Sequence, residues 1–263
     1  MHVNPADVNQ DDATTVGSAP WVERTSGRLT AAERRGLLGP LARTHLRNTV
    51  GRLRLATGMH PGRTAYVPPA RLAPPDTALT RAARDRVEGF LPAPLLNHSH
   101  RAYLFGRALG ELEELDVDDE LLFAAALLHD TGLVAPPPAA DFTLASAQIA
   151  RQVAETVGLP VEATDTVLTA ITLHYNPGVA VTVGPVAYLL AAGTAVDVVG
   201  FRSWELPSAT ITDAIAQHPR DGFKHVFGDA FRQEARRVPE GRAQFLHRYG
   251  AFAAAVKLAP YDD

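Results

Sequence analysis

Apolar residues follow a helical period along most of this chain. From about residue 76 onward they recur at steps of three and four, as in Ala102, Phe105, Leu109 and Leu112, which is the spacing of one face of an α-helix. The alternation typical of strands extends no further than residues 179–183. The sequence therefore predicts an all-α fold. The predicted helices of this part cover residues 95–115, 119–130, 144–157, 161–175, 185–199, 208–217, 222–237 and 241–258.

Turn and loop signals divide the chain into three parts. Residues 1–20 are polar and lack any period, so we expect a flexible and dispensable tail. Residues 21–75 are expected to form a helical extension that ends in a proline-rich connector. Residues 76–258 are expected to form the main helical body, which begins at an N-cap at Asp76 or Thr77.

The extension has helix signals of its own and an excess of positive charge. Thr30 and Glu33 have the spacing of a capping box, and Pro40 is expected to split the following segment into two helices. Between residues 24 and 54 the sequence has eight arginines, namely Arg24, Arg28, Arg34, Arg35, Arg43, Arg47, Arg52 and Arg54. An anion or partner contact is one interpretation. The interleaved aliphatic residues and the absence of an aromatic platform favour a solvated helical face that packs on the main body.

Composition limits the class of protein. The chain has 263 residues, 46% of them apolar and 21% charged, as expected for one ordinary globular domain with an extension. It has no apolar run of about 18 residues and no basic flank before an apolar stretch, so we expect a cytoplasmic protein without a membrane span or signal peptide. A net charge of -4 argues against general nucleic-acid binding. The sequence does not determine the oligomeric state, and a homo-oligomer is one of the alternatives.

An adjacent histidine and aspartate end the most apolar of the predicted helices. His129 and Asp130 directly follow residues 121–128, all of which are apolar. Removing a carboxylate from water without a partner costs several kcal/mol, so Asp130 is expected to be ion-paired, hydrogen-bonded or bound to a metal, the last being the strongest option. Because the chain has no cysteine, imidazoles and carboxylates must hold any metal here.

Further polar residues lie on apolar helix stripes. His98 and Asp197 each share a stripe with apolar residues, and nothing within the helix of Asp197 neutralises its charge. His174 lies at the buried end of another stripe, where a core histidine is as good an interpretation as a functional one. A site of two imidazoles and two carboxylates, from His98, His129, Asp130 and Asp197, accounts for these residues together.

The order of these motifs resembles a known family. The motifs are Asn97-His98-Ser99-x-Arg101, Leu127-Leu128-His129-Asp130-x-Gly132, Ala170-Ile171-x-x-His174, Asp197-x-x-Gly200 and Pro219-Arg220-x-Gly222-Phe223-x-His225-x-Phe227. They are similar to those of the HD-domain metal-dependent hydrolases, in particular the branch that includes cyanamide hydratase, over roughly residues 75–237. The resemblance implies an all-helical HD-domain bundle. It also implies a divalent ion with His98, His129, Asp130 and Asp197 as its ligands.

Departures from related HD proteins refine the expected site. Dinuclear members have two further histidines between the His-Asp pair and the last aspartate, whereas this chain has only His174 there, so we expect one divalent ion per chain. Zn²⁺ is the expected ion, with Fe, Mn and Co as alternatives. Arg101, three residues after His98, is expected either to point into the same cavity or to form a structural ion pair. His100 should face away from the site.

These residues predict a hydratase or hydrolase that acts on a small-molecule substrate. Water activated by a metal attacks polar unsaturated carbon or phosphorus. We assign catalytic roles to Asp130, His174 and Arg101, and we expect Asp130 or His174 to move a proton. Hydration of cyanamide or a nitrile is favoured over phosphate-ester hydrolysis because few cations, namely Arg101, Arg202 and Lys224, lie near the motifs.

A small apolar pocket is expected beside the motifs, with Leu104, Phe142, Trp204 and Phe223 in its lining. Such a pocket fits a small substrate better than a nucleotide. Two alternatives stay open. One is an HD-type phosphohydrolase that acts on a nucleotide or phosphate ester, and the other is a non-catalytic module that binds a metal or ligand.

Overall fold

The protein is built of α-helices over residues 15–263, which are the residues that this computed structural model describes. The all-α prediction is confirmed, since the only β-contact of the described residues is an isolated bridge between Arg28 and Gly241. No helix of the described part is long and apolar enough to cross a membrane. The helices are α1 (Ala19–Thr25), α2 (Ala31–Ala56), α3 (Ala78–Val87), α4 (Ala93–Leu112), α5 (Asp119–Leu128), α6 (Thr131–Val134), α7 (Phe142–Val157), α8 (Val161–Leu173), α9 (Pro185–Val199), α10 (Ser208–Gln217), α11 (Phe223–Arg237), α12 (Arg242–Tyr249) and α13 (Phe252–Lys257).

Helices α4 and α9 cross closely at the centre of the bundle. A Cβ atom added to Gly193 would lie 2.0 Å from the carbonyl oxygen of Ala102 and 2.7 Å from the backbone nitrogen of Gly106, so only glycine fits there. His98 precedes Ala102 by one helical turn, and Asp197 follows Gly193 by one turn. The close crossing therefore brings His98 and Asp197 together.

Helix α5 carries the His-Asp pair into the interior. It begins where Asp118 caps it, the Oδ1 atom accepting a hydrogen bond from the backbone N–H of Leu121 at 3.0 Å. All residues from 121 to 128 are buried, because α3, α4, α7, α8 and α9 surround this helix. His129 and Asp130 occupy the turn between α5 and α6, at the centre of the molecule.

The N-terminal extension packs on the main body around a second hydrophobic core. Trp21 in α1 is fully buried, and its indole N–H donates to Glu33 at 2.7 Å. Arg52 in α2 donates to the carbonyl oxygens of Val199 and Leu258, both at 2.8 Å. These contacts hold α2 against the C-terminal end of α9. The second core consists of Trp21, Val22, Leu29, Leu41, Leu95, Val198, Phe223, Phe227, Phe231, Ala235, Ala243, Phe245, Leu246 and Val256.

The first helix begins shortly before residue 20, the predicted end of the N-terminal tail. Ser18 caps α1 by accepting a hydrogen bond from the backbone N–H of Trp21, and Ala19 is buried. The sequence signal was a serine followed by Pro20 in the first turn, which is typical of a helix start. The remainder of that prediction, on residues 1–14, lies outside the described residues.

Two other boundaries also differ from the prediction. Pro40 does not split the extension, because one helix, α2, runs from Ala31 to Ala56 with Pro40 inside it. The single helix predicted over 241–258 is interrupted at Ala251, which has a φ of 46°. Beyond residue 258, Tyr261 is buried and donates to a backbone carbonyl of α9 at 2.9 Å, so the packed body continues past its predicted end.

Candidate metal centre

Three buried histidines have the same ring tautomer. The Nδ1 atom of His98 lies 2.7 Å from Oδ2 of Asp197, and those of His129 and His174 each lie 2.7 Å from the carbonyl oxygen three residues earlier. Because each Nδ1 faces an acceptor, it carries the ring proton and donates it. The Nε2 atom of each ring is therefore left with a lone pair.

These Nε2 atoms converge on the carboxylate of Asp130. The Nε2 atoms of His98 and His129 are 3.2 Å apart, and Oδ2 of Asp130 lies 3.6 Å and 3.2 Å from them, respectively. Nε2 of His174 lies 3.7 Å from Oδ1 of Asp130. Neither carboxylate oxygen has a hydrogen-bond partner among the described residues.

Such a cluster of lone pairs fits a cation. Buried lone pairs that face one another repel, and a buried carboxylate without a donor is costly. The ligand atoms of His98, His129 and Asp130 all lie within 4.8 Å of one another, as a metal site requires. The donor set of nitrogen and oxygen atoms suits Zn²⁺ and other divalent transition metals.

The pKa values of these residues also favour the addition of a positive charge to the cluster. Burial raises the pKa of Asp130, but the imidazoles, that of His129 first, together outweigh burial and hold this pKa well below its usual range. Burial lowers the pKa of His98 and lowers that of His174 to about 3, so both rings are neutral. Burial also opposes the charged form of His129, but Asp130 and the other acceptors together raise its pKa. The ionised carboxylate therefore lies among rings that are mostly uncharged.

Asp197 lies behind His98 instead of beside the other candidate ligands. Its Oδ2 accepts from His98 Nδ1 at 2.7 Å and from Arg101 Nη2 at 2.9 Å, and its Oδ1 accepts from Arg101 Nε at 2.8 Å and from Arg220 Nη1 at 2.7 Å. Burial raises the pKa of Asp197, but Arg101 and His98 outweigh burial and lower it. The structure thus does not bring Asp197 to the ligand set that the sequence predicted. An apolar helix stripe shows that a carboxylate is buried, but it does not show which side of a facing imidazole the carboxylate contacts.

The central part of the chain is similar to a known family. Residues 95–192 match the family model of the HD domain. HD domains bind divalent metals and are typical of metal-dependent hydrolases. The match includes His98, His129, Asp130 and His174 and ends before Asp197. A comparison with curated proteins found no match.

Arg101 is an internal anchor. It is fully buried, its forked guanidinium binds both oxygens of Asp197, and Nη1 donates to the carbonyl oxygens of His218 and Pro219 at 2.7 Å and 3.0 Å. It forms an ion pair with Asp197, which is one of the two predicted alternatives, and it is absent from the lining of the cavity. Arg220, to which sequence reasoning assigned no role, completes the same ion-pair network. The sequence signal for Arg220 was its place in the Pro219-Arg220-x-Gly222-Phe223 motif.

A cavity of about 220 Å³ opens onto the cluster of His98, His129, Asp130 and His174. Phe142 lines it, as predicted. The other residues predicted for this pocket lie elsewhere.

Those other residues lie outside the lining of this cavity. Phe223 stacks on the ring of His98, with the ring centres 4.7 Å apart. Trp204 packs against Phe201, and Leu104 lines a separate cavity. That second cavity is also lined by His100, which faces away from the metal site as predicted.

The remaining predicted cations are engaged in other contacts. Arg202 lines the cavity, but it is nearly fully buried and ion-paired with Glu113 and Glu205. Lys224 donates to the carbonyl oxygens of Ala259 and Tyr261. The partners of both side chains in these contacts therefore lie outside the His-Asp cluster.

Proposed function

We propose that this protein is a metal-dependent hydratase or hydrolase that adds water to a nitrile-like carbon, as in the hydration of cyanamide to urea. The observation that carries the proposal is the convergence of imidazole Nε2 lone pairs on a carboxylate that lacks any hydrogen-bond donor. His98, His129 and Asp130 are the proposed ligands of one ion per chain, Zn²⁺ being the first candidate. When bound, such an ion supplies Lewis acidity and lowers the pKa of water toward about 7.

His174 is the proposed proton carrier. Its Nδ1–H is held by the carbonyl oxygen of Ile171, and its Nε2 lone pair lies beside Asp130. Because Nδ1 carries the ring proton, the lone pair of Nε2 is able to accept a proton from the attacking water and return it to the substrate nitrogen. Asp197 contributes indirectly, since its hydrogen bond fixes the orientation and tautomer of His98.

The cations around the site support a weakly charged substrate. A phosphate dianion is usually bound by several cationic side chains. Here Arg101 and Arg220 are committed to Asp197, and Arg202 is committed to two glutamates. The one further arginine of the lining, Arg47, is exposed and lies over the ring of Phe201. A cavity of about 220 Å³ is also smaller than the ~300–1,000 Å³ of pockets that hold drug-sized ligands. Both observations favour a small nitrile-like substrate over a nucleotide.

A substrate screen on metal-replete protein tests this proposal. We expect turnover of cyanamide or another nitrile and little hydrolysis of nucleoside monophosphates. His174→Asn should lower kcat by about 10² or more while the metal is retained. His225→Asn is the matched control, because the side chain of His225 is 81% exposed, and it should leave kcat unchanged.

Two outcomes would overturn the proposal. Hydrolysis of nucleoside monophosphates without any activity on nitriles would assign the protein to phosphohydrolases. Metal-replete protein that turns over no substrate of either class would favour a non-catalytic binding module.

A further inference from the structure

Helix α2 of the N-terminal extension forms one wall of the cavity. This helix lies outside the segment that matches the HD-domain family model. Because Arg52 of α2 donates to the carbonyl oxygen of Val199 at 2.8 Å, the wall is held against the end of α9. The α2 residues of the lining are Leu41, Thr44, His45, Arg47 and Asn48.

The two edges of this wall carry polar side chains that solvent reaches. Leu41, Thr44 and Asn48 are buried or half-buried, whereas His45 and Arg47 are exposed. Residues two positions apart in a helix are separated by about 200° around its axis, so His45 and Arg47 lie on opposite sides of the buried face. Both therefore lie at the rim of the cavity, where a ligand can contact them.

Arg47 carries a positive charge that no carboxylate of the described residues neutralises. It forms no ion pair there, and its guanidinium carbon lies 5.7 Å from the centre of the Phe201 ring, which also lines the cavity. The other arginine of the lining, Arg202, is paired with Glu113 and Glu205. The guanidinium of Arg47 is thus free to donate hydrogen bonds to an anionic group of a ligand.

The remaining lining is mostly apolar. Such walls bind an apolar group through buried area and aromatic contacts, and cyanamide has no apolar group. The only carboxylate of the lining is that of Asp130, in the His-Asp cluster, so no acidic residue at the rim repels an anion. The aromatic residues of the lining include Phe142, Tyr175, Phe227, Phe231 and Phe252.

We propose that the substrate is a nitrile with a carboxylate at the other end of an apolar chain. In this proposal, which rests on the proposed function, Arg47 determines specificity by binding the carboxylate at the rim. The apolar chain contacts the aromatic walls, and the nitrile reacts at the His-Asp cluster. There the oxygen of water bonds to the nitrile carbon, and both protons of the water end on the nitrogen, which gives an amide. A single guanidinium suits one carboxylate better than a phosphate dianion.

Binding measurements test this proposal without turnover. Calorimetry on the metal-replete protein compares amides of dicarboxylic acids, which resemble the products, in pairs of equal chain length from succinamate and succinamide to sebacamate and sebacamide. The first member of each pair has a carboxylate, and the second is uncharged. At the best chain length we expect the wild type to bind the carboxylate about fivefold more tightly, the effect of one exposed ion pair.

Variants of α2 identify the group that binds the carboxylate. Arg47→Gln should abolish the preference, whereas Arg47→Lys should retain part of it because the positive charge remains. Arg43→Gln is the matched control, since Arg43 is an exposed arginine of the same helix that does not line the cavity. This control removes the same charge from α2 and should retain the preference. Added salt should weaken the preference in the wild type, because exposed charges are screened.

Kinetics with the corresponding nitriles extend the test to turnover. Each cyano acid is compared with the uncharged cyano amide of the same chain length. Arg47→Gln should raise KM for the cyano acid about fivefold, in parallel with its effect on binding. Arg43→Gln should leave this KM unchanged.

The outcomes separate this inference from the proposed function. If cyanamide is hydrated but no pair of amides shows the preference, the inference fails and the proposed function stands. If the preference depends on Arg47 but no nitrile is turned over, the proposed function fails and the carboxylate contact stands. A preference that survives in Arg47→Gln, or one that Arg43→Gln abolishes equally, would overturn the role of Arg47.

Discussion

Oδ2 of Asp197 lies 2.7 Å from Nδ1 of His98, on the side of the ring opposite to the Nε2 atom that faces His129. A carboxylate in this position fixes the tautomer of a ligand histidine and makes its other nitrogen more basic. The same carboxylate forms ion pairs with two buried arginines. Asp197 therefore connects the orientation of His98 to the packing of α9 and the segment that precedes α11.

The first prediction concerns metal content. Elemental analysis of the purified, metal-replete protein should give one divalent ion per chain, because a single cluster of ligand atoms was found in the described residues. His129→Ala and Asp130→Ala should lose the ion, whereas the exposed His225→Ala should retain it. Two ions per chain, or full retention in both site variants, would show that the site is wrongly assigned.

The second prediction distinguishes two roles of Asp197, namely the support of His98 through a hydrogen bond and direct ligation of the metal. Asp197→Asn should weaken metal affinity by about 10- to 100-fold but still bind one ion at saturating metal. It should also lower stability, since the buried guanidinium groups of Arg101 and Arg220 lose their counter-charge, an effect of roughly 3–5 kcal/mol when a buried pair is broken. Metal titration and thermal unfolding measure these two effects. A folded variant that binds no ion at any concentration would instead support the ligand role that the sequence predicted.

A third prediction follows from the contacts of Arg101. Arg101→Lys should lower Tm and turnover while the metal is retained, because an ammonium group cannot reproduce the fork that binds both oxygens of Asp197 and two carbonyl oxygens. The half-exposed Arg232→Lys is the control and should change neither quantity. Unchanged Tm with a raised KM would point to direct substrate binding by Arg101.

The N-terminal segment gives a fourth prediction. A truncation that begins at Gly27 removes Trp21 and Val22, both fully buried, and should lower stability by about 3–5 kcal/mol or more. A truncation that begins at Thr15 should leave Tm unchanged, in keeping with the polar composition of residues 1–14. Thermal unfolding of the two truncations compares them. Equal Tm values would show that α1 contributes little to the second core.

The fifth prediction is a pH dependence at Glu234. Burial, together with the charge of Asp141, raises the pKa of Glu234 from 4.5 to about 6. Because the folded state binds this proton more tightly than the unfolded state, the contribution of Glu234 to stability is fully present below pH 4.5 and is lost as pH rises through about 6. Glu234→Gln should therefore gain about 2 kcal/mol relative to the wild type between roughly pH 4 and pH 7. Parallel denaturation curves with a constant difference across this range would contradict the prediction.

The sequence by itself determined the helical class, the junction at His129 and Asp130, and the burial of His98, His174 and Asp197. These features follow from the period of apolar residues and from the cost of burying a charge, which are properties of one segment at a time. The same local signals were insufficient at Pro40, since α2 continues through this proline.

Only the tertiary structure decided which polar groups meet. The side of the His98 ring that Asp197 contacts depends on the close crossing at Gly193. The pairing of Arg101 with Asp197, and the placement of Asn48 in the wall of the cavity, join helices that are distant in the chain. Such contacts depend on the relative position and rotation of packed helices, which a helical period leaves undetermined because it specifies only the face of each helix that is buried.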